Sequence, residues 1–278
     1  MVLHEVCGVL RKLKVFMAFT YRNIYIDFQY KFKMIVDFIW SLANVIAFGF
    51  MGIAFQATPD FPTGILPYQF FLINTLVWTV FSNPFIDGSY SVTDEANWGT
   101  IGFMVANKVK FEDIALGRYF ATGVRFFIIF FLLVPLVHMA NAINAPLYIF
   151  LESLAIIFVL FLFMGGIVLI ITAITIVYKR LGEFPRITLT IIRIVSTYFT
   201  PLATFGRIHP ILPSLLYYFP MTSGIVEIRK MLILGDDSAF YTVLRISLLG
   251  SIVVYAMGLA LTYIATMESR RKGTIEMY

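Results

Sequence analysis

Long apolar blocks alternate along this chain with short segments rich in polar residues, Pro or basic residues. Six blocks have about the 20 residues that an α-helix needs to cross hydrocarbon: 34–55, 65–86, 119–139, 147–178, 187–205 and 243–267. The block 147–178 exceeds one membrane thickness and must tilt or project. Ahead of them, residues 1–33 space Val6, Val9, Leu10, Leu13, Phe16, Met17, Ile24 and Phe28 as one helix face. Arg11, Lys14 and Arg22 fall off that stripe, which predicts an amphipathic helix lying on the membrane surface rather than a signal peptide. The polar segment 87–118 predicts short helices. The segment 206–241, broken by Pro210, Pro213, Pro220 and Gly235, predicts a pair of half-length helices that can dip into the membrane. Residues 268–278 form a short basic tail. The fold class expected is an all-α integral membrane protein with six transmembrane helices.

Composition supports this pattern. Of 278 residues, 60% are hydrophobic, 17% aromatic and only 13% charged, and the mean hydropathy is +0.87. The net charge of +5 does not point to nucleic acid, because the basic residues cluster at block ends, where they set topology. With the N-terminus inside, fifteen Lys and Arg fall on the cytosolic side and four (Arg207, Arg229, Lys230, Arg245) outside. This predicts a multi-pass protein with both termini cytosolic. One cysteine, Cys7, excludes an internal disulfide, and Cys7 with His4, His138 and His209 makes no metal-site spacing.

Three segments carry candidate function. In 87–118, Asp94 and Glu95 predict a helix start. Ile101, Met104 and Val105 follow with helical apolar spacing, and Glu112-Asp113 predict a second short helix leading into the third span. A stripe of this kind beside no soluble domain calls for a docking partner, or else for cover from the chain's own spans. In 206–241, Thr222 and Ser223 are expected N-caps of a helix from 224 to 234 that Gly235 closes, and a shorter helix is expected over 211–219. Glu227 in that apolar context calls for a polar partner. In the fifth block, Thr190, Arg193, Thr197, Thr200 and Thr204 repeat at 3, 4, 3, 4 and would share one helix face. Thr75, Thr79 and Ser82 form a weaker stripe on the second block. Such hydroxyls can bond their own backbone, join helices or line a passage. Arg193 is expected to snorkel inward or to meet an acid such as Asp37, which could equally pair with Lys33. No Walker A, HExxH or GxSxG motif occurs, and no span holds a run of acids or His suited to a proton relay.

The order of these features resembles the membrane subunit of an ABC-2 type ABC transporter. Glu95, Gly99-Thr100-Ile101 and Leu116-Gly117-Arg118 are similar to that family's acidic residue, G-T-[LI] and L-G-[KR] run. Phe219-Pro220-Met221-Thr222 with Glu227-Ile228-Arg229 and Gly235 is similar to its outer-helix pattern, whereas Lys108 stands where the family often has Pro. The resemblance implies a non-enzymatic permease of a prokaryotic cytoplasmic membrane, acting as an exporter. It implies a dimer with a second copy or a related permease, served by two ATPase subunits that bind ATP and Mg. Glu95, Gly99, Thr100, Ile101 and Met104 would form the coupling helix. Thr75, Thr79, Thr190, Arg193, Thr197, Thr200 and Thr204 would line the pathway, and Pro220, Glu227 and Arg229 would belong to the outer helices. The rival readings are a secondary carrier or channel, expected to show inverted repeats or a buried ionisable site, an intramembrane hydrolase, and a structural membrane protein.

Overall fold

The computed structural model describes residues 2–55, 61, 64–107, 109–179 and 181–272, with side chains from residue 14 onward. Lys108, Arg180, most of the turn between the first two apolar blocks, and the side chains of His4 and Cys7 lie outside the described residues. All regular structure among the described residues is helical. The helices are α1 (Val2–Gln29), α2 (Lys31–Ala54), α3 (Pro67–Asn97), α4 (Ile101–Ala106), α5 (Phe111–Met139), α6 (Leu147–Tyr178), α7 (Phe184–Val195), α8 (Leu212–Tyr217), α9 (Pro220–Arg229) and α10 (Phe240–Arg271). A 3₁₀ turn spans Leu202–Arg207, and a π-helical turn, Lys230–Leu234, extends α9 to Gly235 in the left-handed region. Four helices are long and apolar enough to cross a membrane: α2, α5, α6 and α10. α3 is 31 residues long, but Gln69, Asn74, Asn83 and Asp87 dilute its apolar content.

Several sequence expectations are corrected. The second block does not stop at 86: α3 runs on to Asn97, so Asp94 and Glu95 end a long helix instead of starting a short one. Glu112 and Asp113 do start a helix, but it is the continuous α5. The helix after Phe219 begins at Pro220, which leaves Thr222 and Ser223 inside its first turn. The fifth block is helical only as far as Val195, a 12-residue helix that cannot cross by itself.

The core has two parts. The larger joins α3, α5, α6 and α9 through Phe70, Phe81, Phe130, Leu133, Leu160 and Met221. The smaller lies beneath α4 and gathers Phe19, Val92, Ile101, Met104, Phe111, Ile114 and Ile176. α10 lies along α6 with backbones nearly touching, since a Cβ on Gly258 would fall 2.7 Å from the Gly166 carbonyl oxygen. Thr262 and Ser251 of α10 donate to the Leu169 and Val159 carbonyls across that contact, each at 3.0 Å. α2 is the least covered of the four apolar helices, with Ile39, Trp40, Ile46, Phe50 and Ile53 exposed.

α1 packs on α5, where Phe19, Asn23 and Asp27 are buried and Phe16 meets the Phe120 ring edge-on at 5.9 Å. Met17, Tyr21, Tyr25 and Phe28 face outward. A charged face turned to the protein and an aromatic face turned away suits a helix at a lipid interface.

Candidate functional site

The residues singled out between α3 and α5 form a compact device. Thr100 N donates to the Glu95 carbonyl and Gly99 N to the Ala96 carbonyl, both at 3.0 Å. Gly99 has φ +72°. This is the six-to-one and five-to-two hydrogen-bond pair of a Schellman stop, and it requires a residue tolerant of the left-handed region at Gly99. Thr100 Oγ1 also donates to the Glu95 carboxylate, and Arg22 of α1 pairs with its other oxygen. Glu95 is buried, so it ties together the end of α3, the start of α4 and α1. Gly117 has a related role, because a Cβ there would meet Phe19 Cδ1 at 2.7 Å where α1 crosses α5.

The apolar stripe of α4 is not uncovered. Ile101 is 3% and Met104 6% exposed, both inside the smaller core, so of the two expected covers it is the chain's own helices that bury them. The outward face of α4 instead carries Phe103 at 75% exposure, and Trp98, the C-cap of α3, is 70% exposed. Spacing alone did not separate the two faces, since a six-residue helix offers apolar residues all round.

The polar residues of α2, α3 and α7 converge on a half-open cavity of about 440 Å³. Thr75, Thr79, Ser82 and Asn83 come from α3, Ser41 and Asn44 from α2, and Thr190 and Arg193 from α7, with Trp40, Phe48, Trp78 and Tyr198 as aromatic wall. Four of the seven expected pathway residues therefore meet here. Thr79 and Thr190 donate to carbonyls one turn back, at 2.9 Å each. Thr75 Oγ1 shares a 3.0 Å hydrogen bond with the Tyr198 hydroxyl, and Asn74 donates to the Tyr198 carbonyl at 2.8 Å. Arg193 does not meet Asp37. Its guanidinium lies over Trp78 (5.3 Å) and Tyr198 (5.1 Å).

Thr197, Thr200 and Thr204 do not join this cavity. α7 ends in another Schellman pair, Thr197 N to the Ile194 carbonyl and Tyr198 N to the Arg193 carbonyl, with Thr197 itself at φ +60°. A β-branched residue rarely takes that conformation and must be held there. Arg229 of α9 holds it, donating to the Thr197 carbonyl (3.2 Å) and hydroxyl (2.9 Å) beneath the Phe70 ring. Thr222 of α9 adds a bond to the Val195 carbonyl at 2.9 Å. Thr200 is exposed, and Thr204 sits in the 3₁₀ turn. Pro220 opens α9 and is buried, and Glu227 is buried further along the same helix.

Sequence reasoning missed a buried charge cluster. Arg125 of α5, 2% exposed, pairs with Asp27 of α1 (2.9 Å), Asp37 of α2 (3.2 Å) and Asp87 of α3 (3.5 Å). Arg118 reaches Asp27 and Asp87 at 3.3 Å, Lys33 reaches Asp27 at 3.7 Å, and Thr122 donates to Asp87 at 2.9 Å. Lys33 thus pairs with Asp27 and not with Asp37. Three carboxylates face three cations, and four helices are joined at one point. The only sequence signal was Arg125 inside an apolar block, which demands counter-charge.

No family model matches this chain, and no curated protein matches it.

Proposed function

We propose that this chain is the permease subunit of an ATP-driven exporter of the ABC-2 type, crossing a prokaryotic cytoplasmic membrane six times with both termini cytosolic, the fifth crossing combining the short α7 with the protein-buried turn that follows it. It works as a dimer with a second copy or a related permease, and two separate ATPase subunits bind ATP and Mg below it. The observation that carries this reading is α4. It is a short helix on a rigid mount, fixed by Glu95, Thr100 and Arg22 and backed by the smaller core; it presents Phe103 outward, and Trp98, which caps α3 just ahead of it, is exposed too. Exposed aromatic side chains on a rigid support are suited to anchor a protein partner. Motion of α4 would pass through Glu95 to α3 and α1, and through α3 to the wall of the polar cavity. The exposed face of α2, next to that cavity, is available to the second permease copy.

The test is Phe103→Asp, with Trp98→Asp as a second variant. Phe103 is exposed, so the fold is expected to survive with a stability change within about 0.5 kcal/mol. Co-purification with the cognate ATPase is expected to be lost. Retention of the ATPase by both variants refutes the docking face.

One observation favours the rival reading of an ATP-independent carrier: the Arg125 cluster is a buried ionisable site, which the sequence did not reveal. Its balance of charges fits a structural joint better than a relay. Solute uptake into vesicles holding this chain alone, without ATP, would decide for the carrier.

A further inference from the structure

The cavity between α2, α3 and α7 carries a positive charge that its lining does not balance. Arg193 is half-buried and lines the cavity wall beside Trp78. Among the described residues no carboxylate pairs with Arg193, and no Asp or Glu lines the cavity. Arg186 at the rim is already engaged, with Glu183 at 3.0 Å. Thr79, Thr190, Ser41 and Asn44 donate to carbonyls of their own helices and are neutral, so they leave the Arg193 charge unbalanced. The ring faces of Trp78 and Tyr198 hold the Arg193 guanidinium but give its N–H groups no acceptor. A cation entering here would meet Arg193 across rings that it already occupies. A neutral solute can accept a hydrogen bond from the guanidinium but leaves its charge unbalanced.

We infer that this cavity takes an oxyanion, a carboxylate or phosphate, carried on an apolar or aromatic body. The oxyanion answers the Arg193 guanidinium, and the body lies against Trp40 and Phe48. About 440 Å³ suits a small amphiphile or the headgroup end of a larger one. The inference rests on the reading of this cavity as part of the export path. The same chemistry is offered by an anionic lipid headgroup and by a soluble organic anion.

The experiment uses the full chain with Trp98→Phe, in nanodiscs of neutral phosphatidylcholine, so that Trp40 and Trp78 are the remaining indoles of the three. Fluorescence quenching is titrated with 4-nitrobenzoate and with its neutral isostere 4-nitrobenzamide. Saturable quenching by the carboxylate is expected, with the amide at least about tenfold weaker, since losing a charge-assisted contact to a desolvated guanidinium is worth that factor or more. Arg193→Gln should bring the carboxylate to the level of the amide, and Arg193→Lys should keep part of the preference. Replacing the lipid by phosphatidylglycerol separates the sources: displacement of 4-nitrobenzoate assigns the site to a lipid headgroup, and unchanged binding assigns it to a soluble anion. Equal affinity for acid and amide overturns the inference, as does undiminished carboxylate binding by Arg193→Gln. The comparison of acid with amide on unmutated Arg193 decides the matter even if the Gln variant does not fold. No ATPase enters this experiment. Loss of the permease reading leaves an observed anion preference standing, and an absent preference leaves ATPase docking untouched.

Discussion

Arg125 and Arg193 both sit within stretches that the hydrophobic pattern assigns to membrane helices, and their surroundings are opposite. Arg125 is almost wholly buried and meets three carboxylates from three other helices. Arg193 borders a cavity, lies over two aromatic rings and meets no carboxylate among the described residues. An arginine whose charge is fully answered by its own chain is a joint: removing it strands the acids around it. An arginine answered only by ring faces has hydrogen-bonding capacity left over, and that capacity is available to something that comes and goes. The two cases separate architecture from recognition better than residue type or position in a span can.

This contrast can be broken by mutation. The largest effect is expected for Arg125→Ala, which leaves Asp27, Asp37 and Asp87 clustered without their central cation. A loss of about 3–5 kcal/mol is expected in equilibrium unfolding in mixed micelles. A loss below about 1 kcal/mol would mean that the cluster is not a joint. Asp87→Asn comes next, at about 2 kcal/mol, because it weakens the pairs with Arg118 and Arg125 and the Thr122 bond while Asp27 and Asp37 still answer Arg125. Thr75→Val, which removes one neutral hydrogen bond to the Tyr198 hydroxyl, is expected to cost about 1 kcal/mol. Arg193→Gln should be the mildest for folding, within about 1 kcal/mol in either direction, since lost ring contact offsets relieved desolvation. If it proves as destabilising as Arg125→Ala, the distinction drawn here fails.

The helix stops of Schellman type at Gly99 and Thr197 explain why one part of the candidate site was legible and another was not. At Gly99 the stop is announced by the residue that tolerates φ +72°, and the run from Glu95 through Gly99-Thr100 marks the junction correctly even though the acids close α3 rather than open α4. At Thr197 the same hydrogen-bond pair is made by a β-branched residue. Nothing local signals a stop there, so the threonine repeat reads as one helix face through Thr204. The conformation comes from Arg229, more than thirty residues downstream, and from Thr222.

The sequence by itself determined which segments are apolar helices. α6 occupies the residues its apolar block marks out, and α2, α5 and α10 are long and apolar enough to cross a membrane. Those choices follow from local hydropathy and chain length, which act over about twenty neighbouring residues. Only the tertiary structure decided which face of each helix is covered. It buried Ile101 and Met104, turned Phe103 outward, collected Asp27, Asp37 and Asp87 around Arg125, and left Arg193 without an acid. The reason is physical: the cost of a buried charge or an uncovered apolar face depends on what other helices bring to it, and that information is distributed across the whole chain.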